Sequence, residues 1–221
     1  MKFTGYVTSR YNSTRVPLKA VQEVGGKTLV DRCIRCLAAV PEIDDILLYG
    51  DCPSIKNYIT ESDDSYRFVQ RPIELSGDNV TFEQILDNAL PHLEEAEYIV
   101  FMTYTAPFFS SESVKTMIDH IAHANYDSAF AARRYKSFAW FKRQKLNYGD
   151  SIPKTQDLEP VLLETSNIYI FSKEHYIKTK QRIGVMPYIH IVDKVESWDI
   201  DNMDDLEVAR MMADAKNSNS G

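Results

Sequence analysis

The strongest constraint in this chain is an alternation. Strand-like runs are separated, one after another, by segments whose apolar residues recur at helical spacing. KFTGYVTS (2–9), DDILLYG (44–50), RFVQR (67–71), EYIVFMTY (97–104), DSAFAARRY (127–135), NIYIF (167–171) and PYIHIVD (187–193) read as strands, the continuous apolar run at 97–104 most plainly. Between them, residues 28–40 place Leu29, Val30, Cys33, Ile34 and Leu37 on one helical face, and PSIKNYITES (53–62) reads as a short helix. Residues 80–93 carry Ile85, Leu86, Ala89 and Leu90 at helical spacing, and 111–123 opens with Ser110 or Ser111 as a cap. A basic helical segment at 173–182 and a last helix from about 203 to 215 complete the pattern. This spacing implies βαβ units, hence an α/β fold with a mostly parallel sheet and helices on both faces. In such sheets ligands bind outside the carboxyl ends of the strands.

Residues 136–160 break the rhythm. SFAWFKRQKLNYGDSIPK is rich in aromatic and basic residues, with turn chemistry at Asn147, Gly149 and Pro153. It is expected to be a hairpin extension, lying either over the site or against a partner subunit. Residues 1–215 are expected to form one domain and 216–221 a disordered tail.

The loop after the first strand, TSRYNSTRVPLK, is locally basic in a chain whose net charge is −7. Residues 1–22 carry Lys2, Arg10, Arg15 and Lys19 and no acid before Glu23. The overall charge argues against a nucleic-acid or anionic membrane surface, so the loop points to one small anionic ligand. Arg15 offers a planar fork for phosphate, Lys19 a mobile point charge, Ser13 and Thr14 hydroxyls, and Pro17 stiffness. The alternative is a solvated loop whose charges face water. Neither GxxxxGK[ST] nor GxGxxG is present, so a P-loop ATPase and a dinucleotide site are unsupported.

No run approaches the ~18 consecutive apolar residues of a membrane span, and the Met-Lys start lacks a signal-peptide pattern. The three cysteines cannot form a disulfide framework. A cytoplasmic setting is therefore expected. Cys33 and Cys36 form C-x-x-C inside a helical pattern and read as packing residues, while His120 and His123 read as solvent-facing.

SRYNSTRVPLK…GGKTLV resembles the loop of the sugar-activating cytidylyltransferases, both the ARxxSxxxPxKN form of the acylneuraminate enzymes and the STRxPxK form of deoxy-octulosonate and spore-coat polysaccharide relatives. RPIELSGDN (71–79) is similar to RPxELAxD, and YIVFMTYTAPFFSSESV (98–114) stands where that group has a strand ending in QPTSPLR. NIYIF (167–171) and SWDIDNMDDLEVA (197–209) resemble xxIYI and the terminal DIDTxEDLxxA. The resemblance implies a Rossmann-like three-layer nucleotidyltransferase fold. It also implies an Mg²⁺-dependent transfer of CMP from CTP to a sugar-acid acceptor, with pyrophosphate leaving.

Carried over residue by residue, the resemblance gives Arg10, Arg15 and Lys19 to the triphosphate and catalysis, with Ser13, Arg71 and Val80 completing the nucleotide site. It gives Thr103, Tyr104, Thr155 and Tyr169 to the acceptor. Asp199 and Asp201, two apart and so on one side of an extended chain, would hold Mg²⁺, which suits hard oxygen ligands. Arg71 otherwise reads as a surface partner of Glu74, and Asp204 and Asp205 as charges at a helix N-terminus. The sequence departs from the pattern at Ala20, at Val80-Thr81-Phe82, at Thr103, at Phe109 and at Thr155, where an arginine for the acceptor carboxylate is expected. Lys154, Arg133 or Arg134 are the substitutes considered, and a phosphonate or other polysaccharide precursor is an alternative acceptor. The resemblance also implies a homodimer formed through the 136–160 extension. Two further readings stand beside it: a catalytically silent nucleotide-binding homologue, and a UTP- or dTTP-dependent transferase, which the missing GxGTRL-type loop disfavours.

Overall fold

In a computed structural model, residues 1–61 and 63–218 are described. Seven strands form one sheet, in the order β11-β7-β10-β6-β1-β4-β5. These are β1 (Phe3–Ser9), β4 (Ile43–Gly50), β5 (Arg67–Gln70), β6 (Tyr98–Met102), β7 (Ser128–Tyr135), β10 (Val161–Ser172) and β11 (Pro187–Val192). Two-stranded ribbons β2 (Glu23–Val24) with β3 (Lys27–Thr28), and β8 (Trp140–Phe141) with β9 (Gln144–Lys145), stand apart from it.

β1 is central and parallel to both β4 and β6, and six of its seven residues are buried, the polar Thr4 and Ser9 among them. Helices α1 (Leu29–Ala38) and α3 (Ser111–His123) pack on one face; α2 (Phe82–Ala89) and α4 (Lys173–Thr179) pack on the other. A third cluster seats α5 (Met203–Ser218) against Val16, Val24 and Leu29.

Local chemistry sets the boundaries. Thr28 caps α1 through the Asp31 amide, Thr81 and Gln84 form a reciprocal capping box on α2, and Ser110 caps α3. Gly25 and Gly26 take φ values of +58° and +73°, the pair of left-handed positions that a two-residue β2–β3 turn requires. Pro91 restricts the end of the predicted 80–93 helix, which finishes as a 3₁₀ turn at Leu90–His92.

The sheet is mixed because β10 runs antiparallel to both β6 and β7. Periodicity carries no strand direction. The physical reason lies in the connection: 136–160 contains the β8–β9 hairpin and a short turn but no crossover helix, so the chain returns beside β7 in the opposite sense. The last helix reaches Ser218, so residues 216–218 are helical where a disordered tail was expected; Lys216 packs over the Phe108 ring and extends the helix contact. Residues 219–221 of that expected tail lie outside the described residues.

Cys33 is buried and Cys36 half-buried on α1, and burial pushes the Cys36 thiol up to about 12, so C-x-x-C is packing rather than redox chemistry. His120 departs from its expected solvent-facing role: its ring stacks on Tyr188 with centroids 3.8 Å apart. Beside it His190 Nδ1 is buried without a hydrogen-bond partner among the described residues, and burial lowers the His190 pKa below 6.5. The unfolded chain then binds a proton at mildly acidic pH that the native chain refuses, so stability is lost as pH falls below about 6.5. Urea melts at pH 7 and pH 5.5 are expected to show this loss in the wild type and a smaller one in His190→Phe; equal losses would discount His190.

Candidate active site

A cleft of about 570 Å³ opens at the carboxyl ends of β1, β4, β5 and β6. Arg10, Ser13, Arg15 and Lys19 line one wall, Arg71 and Val80 another, and Thr103 and Tyr104 the floor. The loop that looked free of carboxylates in sequence meets three of them in space. Arg10 Nη1 lies 2.5 Å from Asp78 Oδ1, and the Thr14 hydroxyl 3.4 Å from Asp78 Oδ2. Arg15 Nη1 lies 2.9 Å from Asp201 Oδ1. The Tyr11 amide donates to Asp51 at 2.8 Å. The Arg10 guanidinium, by hydrogen bond and charge, holds the Asp78 carboxyl below the usual carboxylate range.

Arg71 is buried, not on the surface. Its partner is Asp51 at 3.7 Å, with side chains 3% and 8% exposed, in place of the expected Glu74. The β5 ladder explains this: the Arg71 amide donates to the Gly50 carbonyl, which carries the side chain inward beside the residue following β4. Arg71 Nε and the nearby Ser9 Oγ are buried polar atoms without a hydrogen-bond partner among the described residues, and both border the cleft. Such atoms are rare in native proteins unless a ligand completes them.

Lys19 is also buried. Leu18 before it adopts φ 51°, a left-handed conformation uncommon for a non-glycine residue, which turns Lys19 inward while Leu18 stays exposed. Lys19 Nζ donates to the Ile200 carbonyl at 2.7 Å and lies 3.4 Å from the Asp201 carbonyl. Burial lowers its pKa, opposed by the Asp201 charge. The expected phosphate ligand is thus first of all a clamp on the Asp-Ile-Asp segment, with one ammonium donor left for the cleft.

That segment is fastened from every side. The Ile200 amide donates to the Thr105 carbonyl, and Asp205 Oδ2 accepts from the amides of Asp201 and Asn202 while Asn202 caps the Asp205 amide. Asp205 thereby serves the helix start, as its position predicts. Asp199 accepts a hydrogen bond from Thr105, a residue of the cleft floor. Burial pushes the Asp199 carboxyl up, and the Asp201 charge adds to the rise against Thr105 and Lys19. A half-buried carboxylate whose charged form is disfavoured, with a second carboxylate beside it, is a donor set that a hard cation would complete. Among the described residues no third acidic, Cys or His side chain joins the pair, so such an ion would draw its remaining ligands from water and phosphate.

Two expected acceptor residues do not border the cleft. Thr155 is exposed at the start of a 3₁₀ turn beyond the hairpin. Tyr169 is 1% exposed, and its hydroxyl donates to Glu164. Arg133 and Arg134 belong to the β7–β10 ribbon opposite Leu163 and Leu162, and Lys154 precedes the Thr155 turn. Sequence reasoning missed Asp51, Asp78 and Thr105. Asp51 directly follows the apolar β4 run and Asp78 sits in an Ser-Gly-Asp turn, but nothing local says which cations they meet.

A cytidylyltransferase family model matches residues 5–192. An N-acylneuraminate cytidylyltransferase of Streptococcus agalactiae serotype III (strain NEM316) is 23% identical over 215 residues, covering 93% of this chain and 52% of the relative. A 3-deoxy-manno-octulosonate cytidylyltransferase of Rickettsia bellii (strain OSU 85-389) is 26% identical over 121 residues, 55% of this chain and 48% of that one. The chain spans about half the length of these curated relatives. Among solved structures, CMP:2-keto-3-deoxy-manno-octonic acid synthetase complexed with CTP superposes with a TM-score of 0.71 at 14% identity, covering 98% of this chain and 100% of that one. The 4-diphosphocytidyl-2C-methyl-D-erythritol synthase of Anaerococcus prevotii DSM 20548 gives 0.66 at 16% identity, covering 96% and 95%. At these identities the structural likeness speaks to the fold, a Rossmann-like α/β sheet, while the family match speaks to descent: the chain belongs to the cytidylyltransferase family, a family of nucleotidyltransferases.

Proposed function

We propose that this chain transfers CMP from CTP to the hydroxyl of a small sugar acid and releases pyrophosphate. The observation that carries the reading is convergence: Arg10, Arg15, Lys19 and Arg71 meet at one cleft that also adjoins the Asp199–Asp201 pair. Arg10 and Arg15 are paired with Asp78 and Asp201. A triphosphate competes for the same guanidinium forks, and phosphate oxygens are well matched to them. Arg71 would turn its unpaired Nε to the nucleotide, and Ser13 and the Thr103 and Tyr104 floor would orient the reacting groups. Lys19 holds the two carboxylates in place through the Ile200 and Asp201 carbonyls. Asp199 and Asp201 would hold Mg²⁺, which when bound neutralises phosphate charge and favours loss of the acceptor hydroxyl proton.

Exposed Trp140, Phe141 and Leu146 on the hairpin, 57%, 59% and 53% exposed, support a homodimer formed through 136–160. Light scattering at micromolar concentration is expected to give twice the chain mass; a monomer would refute the dimer. No helix among the described residues is long and apolar enough to cross a membrane, which accords with action on small solutes in the cytoplasm.

The testing experiment is thermal unfolding with CTP, UTP, ATP and GTP, each with and without Mg²⁺, followed by pyrophosphate release with N-acetylneuraminate and 3-deoxy-manno-octulosonate as acceptors. A selective rise with CTP is expected because a ligand of the native state raises the midpoint by mass action. No rise with any nucleotide would overturn the reading. Asp78→Asn removes the competitor for Arg10 and Thr14, so it is expected to tighten CTP binding a few-fold by calorimetry. Weaker binding would mean that Asp78 itself contacts the nucleotide.

A further inference from the structure

A second cleft, of about 370 Å³, shares no lining residue with the one at the strand ends. Arg32 of α1, Lys216 near the end of α5 and the ring of Phe108 line it. Backbone carbonyls hold the guanidinium in place: Arg32 Nε donates to the Val24 carbonyl at 2.7 Å and Nη1 to the Pro107 carbonyl at 3.4 Å. Its other N–H groups have no acceptor among the described residues, and no carboxylate there forms an ion pair with it. Asp31, the neighbour in sequence, is bound to Arg35 and Thr60. Glu196 accepts from the amide and hydroxyl of Ser110, which also lines the cleft. From α5, Lys216 Nζ stands 5.2 Å from the centre of the Phe108 ring, so an ammonium is drawn to the same place.

A cation is unfavourable where Arg32 sits. It lies in the first turn of α1, the positive end of the helix dipole. It is half-buried, and burial disfavours its charged form, opposed by the Asp31 charge. The backbone nevertheless makes space for it. Gly25 has φ +58°, and a Cβ there would lie 2.7 Å from Arg32 Nη2 and 3.1 Å from Ala213 Cβ. An oxyanion in the cleft would supply both the acceptors and the charge that the guanidinium lacks. A carboxylate is satisfied by the planar fork alone. A phosphoryl group carries more oxygens and is able to face the fork and a mobile ammonium at once.

We propose that Arg32 and Lys216 form a second anion site, which takes a small phosphoryl oxyanion, orthophosphate or pyrophosphate. The site does not depend on the nucleotide reading of the strand-end cleft. Through the Val24 and Pro107 carbonyls it is joined to the segments that follow the basic loop and Thr105 of the cleft floor.

The test is thermal unfolding of the wild type, Arg32→Lys, Lys216→Gln and Arg15→Gln. Each is titrated with orthophosphate, pyrophosphate, acetate and sodium chloride at matched ionic strength. Both phosphoryl anions are expected to raise the wild-type midpoint beyond the chloride and acetate controls. Arg32→Lys and Lys216→Gln are expected to need at least about fivefold more phosphate for the same rise. Arg15→Gln, altered in the basic loop of the other cleft, is expected to titrate with orthophosphate as the wild type does; weakening in all three variants would still assign one ion to Arg32. A purely structural Arg32 would lower the starting midpoint and leave the titration unmoved, which overturns the proposal. So does a response lost in Arg15→Gln and kept in the other two variants, which places the ion at the strand ends. A wild-type rise no larger than that with chloride overturns it as well. Should Arg32→Lys fail to fold, Lys216→Gln, a change at an exposed side chain, carries the same comparison.

Discussion

Asp199→Asn is expected to lower pyrophosphate release by roughly 10²–10³-fold, the range seen when one electrostatic group acting on developing charge is removed, and to leave the fold intact or slightly more stable. The two halves of this expectation have one cause. Burial and Asp201 raise the Asp199 pKa above its ordinary 3.8. A group whose native pKa is raised stabilises the fold below its unfolded pKa and loses that contribution as pH rises through the native value, so at neutral pH the ionised carboxylate is a burden on the ligand-free chain. Asparagine keeps the shape, can still accept from Thr105, and removes the charge. Activity from a coupled pyrophosphate assay and the midpoint from calorimetry, both at pH 7.5, decide the matter. A variant that retains more than about a tenth of the wild-type rate would remove Asp199 from the proposed cation site. A variant that is both inactive and strongly destabilised would make the residue structural.

Arg71→Met is expected to destabilise the protein by about 3–5 kcal/mol, the usual cost of leaving one member of a buried pair uncompensated. Asp51, 8% exposed at its side chain, would keep its charge with only the Tyr11 amide in support. The double variant Arg71→Met/Asp51→Asn should recover most of that stability without recovering CTP binding. This separates the two jobs assigned to Arg71, one toward Asp51 and one, through its unpaired Nε, toward the nucleotide. Urea denaturation of the single and double variants measures the first job and CTP calorimetry the second. If the double variant binds CTP as the wild type does, Arg71 is a structural arginine at the cleft wall. If the single variant loses less than about 1 kcal/mol, the Asp51 pair is not the buried pair described above.

Much of the architecture was legible in the residues because it rests on local rules. Alternating apolar patterns placed the seven main strands and their helices, since strand and helix periods of 2 and 3.6 leave different marks on a sequence. Ser110 marked a helix start because capping is a contact over three residues. The direction of β10 was not legible, because it depends on a connection without a crossover helix and on pairing with strands about 30 to 70 residues earlier. The same boundary runs through the site. The basic character of the 9–19 loop and the Asp199–Asp201 spacing are visible in sequence, and the family resemblance groups them into the proposed nucleotide site.

What the chain order by itself determined is therefore the set of elements and the chemical types offered at the strand ends: cations after β1, a cation after β5, carboxylates before α5. What only the tertiary structure decided is how those charges are spent. Asp78 meets Arg10 across 68 positions, Lys19 meets the Ile200 carbonyl across 181, and Arg71 turns inward to Asp51 instead of outward to Glu74. Side-chain identity fixes what a residue is able to bind. Burial and distance, which exist only once the sheet has assembled, determine whether the chain has already satisfied that capacity or leaves it for a ligand.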